Sequence, residues 1–195
     1  RDNTMPSALN GGTTPMPRPL EVDAILAEAR RRTGLEDLGD PWFLEPMQRF
    51  VDAANSEAQL TEAGVAGQFE TAVNNIANRL RMIEDLRRHP EILGEEVEVA
   101  GLILGLPRTG STIFQKLVSS APGMTTVRWF EGSNYAMFPG EERGNAVERR
   151  AFAQAVIDGW LSISPEIASQ HPMFPDAPAE EIMILGQLFV STLME

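Results

Sequence analysis

The sequence predicts an α/β chain in which a parallel sheet is flanked by helices and preceded by a helical subdomain, with the sheet incomplete within these residues. Val99, Ala100, Leu102, Ile103 and Leu104 form an apolar run with almost no alternation, as in a strand buried on both faces of a parallel sheet. The run is broken by Gly105, Pro107 and Gly110, after which Ser111 and Thr112 open a helix with apolar positions Ile113, Phe114, Leu117 and Val118. Upstream, from Glu21 to His89, apolar residues recur at helical spacing and no strand pattern occurs.

Residues 1–20 contain Met5, Pro6, Gly11, Gly12, Pro15, Pro17 and Pro19 but no apolar core of a secretory signal, and read as a flexible lead-in. Residues 21–92 read as the helical subdomain or lid. Val22, Ile25, Leu26 and Ala29 mark one face of a first helix, which ends in Arg30, Arg31 and Arg32 before Gly34. That arginine cluster suits the helix dipole and solvent better than an anion patch. Asp40 is placed to cap a second helix, with Pro41 in its first turn and Trp42, Phe43, Met47, Phe50 and Val51 as apolar anchors. In a third helix Phe69, Val73, Ile76, Leu80 and Ile83 step by four and three, and Arg87, Arg88 and His89 close it before Pro90. His89 at that end reads as a surface cap rather than a base.

Residues 93–195 read as the N-terminal part of a nucleotide-binding domain whose remainder is missing. After the loop helix, Ala121-Pro122-Gly123 makes a turn and Thr125 to Trp129 a second strand. Met137 to Arg143 is a loop, Ala146 to Leu161 a helix, and Asp176-Ala177-Pro178 opens a last apolar helix with Glu180 and Glu181 in its first turn. Two strands are too few for a stable sheet, and Ser191 to Glu195 carry no helix stop signal. The expectation is therefore half of a longer protein, or one whose other half is a separate chain.

Composition narrows the chemistry. The chain has 195 residues, enough for one domain, and no cysteine, which excludes disulfides, thiolate nucleophiles and cysteine zinc sites. A reducing cytoplasm fits. Sixteen basic and 28 acidic residues leave a net charge of −12, which opposes general attraction to nucleic acid or an anionic membrane. No segment is long and apolar enough to be a transmembrane span; Ile182 to Met194 is too short and contains Gln187. An anionic ligand must therefore be held by a local cradle, and association with a second copy of the chain is left open.

The cradle is the turn after the first strand. Backbone N–H groups freed by the first helical turn, together with the helix dipole, bind anions, and phosphate is the expected guest. Gly105 and Gly110 bracket four residues, as in a nucleoside-triphosphate P-loop. Ser111 stands where that motif requires lysine, and the only lysine, Lys116, lies further along the helix. Arg108 supplies positive charge instead. Gly105-Leu106-Pro107-Arg108-Thr109-Gly110-Ser111-Thr112 resembles the 5′-phosphosulfate loop of sulfotransferases that use 3′-phosphoadenosine 5′-phosphosulfate (PAPS), most of all the branch with arginine in the loop, which includes many bacterial enzymes. The similarity extends through the helix to Trp129-Phe130-Glu131, and more loosely to His171-Pro172 and Asp176 to Glu181.

The resemblance implies a P-loop-like parallel sheet and PAPS as co-substrate, bound by Pro107, Arg108, Thr109, Gly110, Ser111 and Thr112. It implies that Arg108 stabilises the leaving phosphate and that Glu131 takes the proton of an acceptor hydroxyl or amine. By position alone Glu131 is equally a solvated loop acid. His171 is a candidate substrate contact or second base, against the commoner reading as an ordinary loop histidine. No metal is expected. The acceptor class, whether small molecule, lipid or glycan, is not specified, and the donor's 3′-phosphate contacts are expected beyond residue 195. A P-loop kinase or NTPase, or a non-catalytic nucleotide-binding module, are the alternatives.

Overall fold

The structure is a computed structural model and describes residues 19–106 and 109–191. Two compact units are formed, one by the chain up to Arg87 together with the segment from Ile182, the other by Arg88–Glu181.

The first unit is helical. α1 (Val22–Thr33) stops at Gly34, whose φ of 67° places it in the left-handed region and whose N–H donates to the Arg30 carbonyl at 2.7 Å. Asp40 Oδ1 accepts the Trp42 N–H at 3.2 Å and starts a 3₁₀ turn, Pro41–Phe43, that runs into α2 (Leu44–Ser56). α3 (Glu62–Arg88) buries Phe69, Val73, Ile76 and Leu80, four of the five residues of the expected stripe. They pack with Ile25 and Ala29 of α1, with Phe43, Met47 and Val51, and with Leu20, whose backbone N–H and carbonyl both bond the Asn55 side chain at 2.9 Å. α8 (Ile182–Gln187) leads to Phe189, which joins this core with its ring 5.5 Å from that of Phe50.

Three arginines do more than the sequence discloses. Arg79 lies in the apolar stripe of α3, buried, yet it donates to the carbonyls of Leu38 and Asp40 at 2.8 and 2.7 Å and lies 4.2 Å over the Phe43 ring. It thereby holds the capped turn that the sequence locates by Asp40 and Pro41. The cluster at the end of α1 does more than serve dipole and solvent. Arg31 and Arg32 both bond the buried carboxylate of Glu28, and Arg32 reaches across to Glu70 of α3 at 2.7 Å. His89 is an exposed helix-end residue, with Nδ1 3.1 Å from Glu91.

The Glu28 cluster makes stability depend on pH. The hydrogen bond from Arg31, opposed by burial and reinforced by Arg32, holds the Glu28 carboxyl down at about 2. A carboxyl lowered in the folded state contributes stability that is complete above its unfolded value of about 4.3 and is lost as pH falls through the folded one. The upper bound is about 3 kcal/mol. Thermal melts of the wild type and Glu28→Gln are expected to differ most above pH ~5 and to converge towards pH ~2. A gap unchanged at acid pH would assign the cost of the substitution to something other than this charge.

In the second unit, Val97, Val99, Leu102 and Leu104 lie outside any helix or strand and are exposed, 72 to 84% accessible. Among the described residues no β-ladder forms; two isolated bridges occur, Arg128 with Pro178 and Glu142 with Asn145. An apolar run becomes a parallel strand only with a neighbouring backbone beside it, and none of the described residues pairs with this one. The expected second strand, Thr125 to Trp129, takes an antiparallel partner instead. The Trp129, Phe130 and Ala179 N–H groups donate to Ala177, Pro175 and Val127 carbonyls at 2.9, 3.0 and 2.9 Å. Pro175 and Asp176 therefore form a turn, closed by the Ala177 N–H on the Phe174 carbonyl at 3.0 Å, and Pro178 carries the bridge, so that Glu180 and Glu181 precede α8 rather than lying in its first turn.

α4 (Ser111–Ser119) follows the loop, with Ile113, Phe114 and Leu117 exposed. α5 is one short turn, Trp129–Ser133; α6 spans Val147–Ile163 and α7 Ile167–Gln170. α6 buries Ala153 and Ile157, and its Trp160 meets the buried Trp129 edge-on with ring centres 5.8 Å apart. Among the described residues no helix is long and apolar enough to cross a membrane.

Candidate functional site

The loop residues Pro107 and Arg108 lie outside the described residues. Around them, Thr109 Oγ1 donates to the Leu106 carbonyl at 2.6 Å, and a Cβ on Gly105 would stand 3.0 Å from that same oxygen. The turn closes tightly, which a glycine at 105 permits. Gly110 takes a left-handed φ of 88° immediately before α4, a conformation costly for residues with a Cβ. The first helical hydrogen bond runs from Phe114 N–H to the Gly110 carbonyl at 3.1 Å. It leaves the N–H groups of Ser111, Thr112 and Ile113 at the helix end, where an anion is met by amides and dipole together. Ser111 and Thr112 are half-buried, with their hydroxyls in the same first turn.

Glu131 is the third residue of α5. One carboxylate oxygen, Oε2, accepts the Arg128 N–H at 2.8 Å, closing the start of α5. The loop helix and this carboxylate are joined through Gln115 of α4, whose Nε2 donates to the Ala179 carbonyl at 2.8 Å. Ala179 in turn bonds Val127, at the head of the segment that ends in Glu131. The buried ring of Phe130, next to Glu131, carries the guanidinium of Arg150 4.4 Å and that of Arg149 5.4 Å from its centre. Arg149 also bonds both oxygens of the buried Glu141 at 3.0 Å and the Asn134 carbonyl at 3.0 Å.

His171 is exposed at the end of α7, its N–H on the Ile167 carbonyl at 2.8 Å. It stands four residues before Pro175, the partner of Phe130, and none of the described contacts joins its ring to Glu131 or the loop. Among the described residues no group of three or more His, Cys, Asp or Glu is placed to hold a metal ion. The supports that sequence reasoning missed are Arg149 and Arg150. Arg149 stands one turn before Ala153 and two before Ile157, both buried, so its place on the inner stripe of α6 was the available signal.

These features sit on a fold that is already known. The chain has the fold of sulfotransferases. It is similar to sulfotransferase STF1 from Mycobacterium tuberculosis H37Rv, with a TM-score of 0.67 and 20% identity, covering 90% of this chain and 49% of that one. It is similar also to sulfotransferase STF9 from Mycobacterium avium, with a TM-score of 0.71 and 24% identity over 89% of this chain and 45% of that one. The chain spans about half the length of the solved structures it matches. No family model matches it, and no curated protein does.

Proposed function

We propose that the chain transfers a sulfuryl group from PAPS to the hydroxyl or amine of a small-molecule, lipid or glycan acceptor. The observation that carries this is the loop helix: left-handed Gly110 opens α4 with its first-turn amides and the Ser111 and Thr112 hydroxyls at one end, on a sulfotransferase fold. The Gly105 to Thr109 closure fits a phosphate cradle, since it keeps the loop small and side-chain bulk out of it.

In this reading Pro107, Arg108 and the amides from Thr109 to Thr112 hold the donor's 5′-phosphate. Residues 99–104 form the strand that feeds the loop in a parallel sheet. Arg108 offsets the negative charge that builds on the departing phosphate oxygen. Glu131 Oε2 is held by Arg128, leaving Oε1 to accept the proton of the attacking hydroxyl. The acceptor oxygen bonds sulfur, the bond from sulfur to the bridging phosphate oxygen breaks, and adenosine 3′,5′-bisphosphate leaves. His171 contacts the acceptor or serves as a second base. The work is positioning and electrostatic stabilisation, with no protein nucleophile.

The test is thermal stabilisation by adenosine 3′,5′-bisphosphate against ATP with magnesium. A ligand at 100 times its dissociation constant adds about 2.7 kcal/mol, and the bisphosphate alone is expected to do so. Arg108→Ala is expected to lower transfer severely. Stabilisation by ATP and magnesium alone would replace this reading with the P-loop NTPase one, which the loop's lack of lysine after Gly110 disfavours.

A further inference from the structure

An open groove of about 510 Å³ is lined by Lys116 and Ser119 of α4 and Ser120 just after it, by Thr125, Thr126 and Arg128, and by Asp176 among others. Lys116 lies one helical turn beyond Thr112, on the same face of α4. Arg128 is the residue whose backbone N–H holds Glu131, so its side chain and the candidate base diverge from one short segment. The groove therefore adjoins the segment that carries the candidate base.

Its charge is out of keeping with the chain. In a protein of net charge −12, two cations face this groove. Its acid, Asp176, is already met by Arg150 of α6, Nε to Oδ1 at 2.8 Å, while Arg128 stands off at 3.6 Å. Lys116 has no ion-pair partner among the described residues. Asp176 is thus shared by two guanidiniums, and with Lys116 the three cations exceed this one acid by two positive charges.

The hydroxyls divide in a telling way. Ser119 and Ser120 donate to the Lys116 and Leu117 carbonyls, at 3.1 and 2.7 Å, so their hydrogens are spent. Thr126 Oγ1 instead accepts from Gln115 Nε2 at 3.4 Å, which turns its own hydrogen away from Gln115. Among the described residues Lys116 and the Thr126 hydroxyl meet no acceptor and Arg128 reaches only Asp176, at 3.6 Å, and a guanidinium beside an ammonium suits a phosphate with several acceptor oxygens.

We propose that this groove binds a phosphomonoester carried by the acceptor. An excess of two positive charges over Asp176 matches the charge of about −2 on a phosphate monoester near neutral pH better than the single charge of a carboxylate. The inference rests on the sulfuryl-transfer reading and narrows the acceptor to a phosphorylated alcohol. Its phosphate is held by Lys116 and Arg128 while a hydroxyl elsewhere on the same molecule faces Glu131. The donor's own 3′-phosphate has the same chemistry, and the experiment separates the two sources.

Calorimetric titrations of the full chain with glycerol 3-phosphate and with adenosine 3′,5′-bisphosphate test this, in wild type, Lys116→Gln and Arg128→Gln. Arg49→Ala, which removes an exposed cation paired with Glu45 on α2, is the control, and melting curves establish that each variant folds. Glycerol 3-phosphate is expected to bind the wild type and Arg49→Ala, and to weaken roughly tenfold or more in Lys116→Gln and Arg128→Gln. Bisphosphate affinity is expected to stay unchanged in all four. No binding of glycerol 3-phosphate at millimolar concentration, or equal binding by Lys116→Gln and Arg128→Gln, overturns the site. Parallel loss of bisphosphate affinity in those variants assigns the groove to the donor and overturns the acceptor assignment. Failure of the bisphosphate to bind the wild type while glycerol 3-phosphate binds through Lys116 sinks the sulfuryl-transfer reading and leaves the phosphomonoester site standing.

Discussion

Replacing Glu131 by glutamine is expected to lower transfer from PAPS by about 10²- to 10⁴-fold, the usual worth of a general base, while donor binding survives. The substitution isolates the proton-accepting role because of where the carboxylate sits. Oε2 accepts the Arg128 N–H at 2.8 Å, and a glutamine oxygen can accept the same bond, so the start of α5 stays closed. The amide cannot take a proton from the acceptor. Glu131→Ala removes the cap as well, at a cost to stability of about 1 kcal/mol, so its activity would mix two effects. The measurement is steady-state transfer paired with thermal stabilisation by adenosine 3′,5′-bisphosphate. Wild-type turnover in Glu131→Gln would take this residue out of the mechanism and return it to capping alone.

Arg149→Ala is expected to destabilise the second unit by about 3 to 5 kcal/mol, the cost of stranding a buried charge. Glu141, 1% exposed at its side chain, faces Arg149 at 3.0 Å and, among the described residues, otherwise accepts the Phe138 N–H at 2.9 Å. Without the guanidinium its charge is left in a dry site. The same change frees the Asn134 carbonyl just past α5 and one of the two cations on the Phe130 ring. Activity is therefore expected to fall with stability, since Glu131 follows Phe130 directly. Urea denaturation followed by tryptophan emission in a Trp42→Phe background reports on this unit, because Trp129 and Trp160 both lie in it and Trp42 does not. A double variant, Arg149→Met with Glu141→Leu, is expected to recover most of the loss, since it removes both charges. A loss below about 1 kcal/mol in Arg149→Ala would mean that the pair is open to water and that the Phe130 ring is held by other contacts.

Both substitutions act through contacts that differ in how far the sequence discloses them. The loop was legible because its signals are local: Gly105, Gly110, Ser111 and Thr112 lie within eight residues, and each has a backbone reason to stand where it does. The first-unit helices were legible for the same reason. Gly34 ends α1, Asp40 caps the turn at Pro41, and the stripe from Phe69 to Leu80 is the buried face of α3. Arg79 and Arg149 interrupt such stripes, and a charged residue at a buried register is a sign of a partner. The sign does not identify the partner, because Leu38 and Asp40 stand about forty positions from Arg79 and Asn134 fifteen from Arg149.

The sequence by itself determined the helical N-terminal region, the ends and caps of its helices, and the glycine turn that opens α4, since each depends on backbone preferences over a few neighbouring residues. Only the tertiary structure decided that 127–130 pair with 175–179, that Arg32 crosses to Glu70, and that Phe189 packs on Phe50 in the first unit. Apolar content tells that a segment will be buried but not against what. The run from Val99 to Leu104 makes this plain, for it has the composition of a central strand, yet the described residues bring it no pairing backbone and leave its side chains exposed. A hydrogen-bonded ladder is a property of two segments, and one segment's composition specifies only half of it.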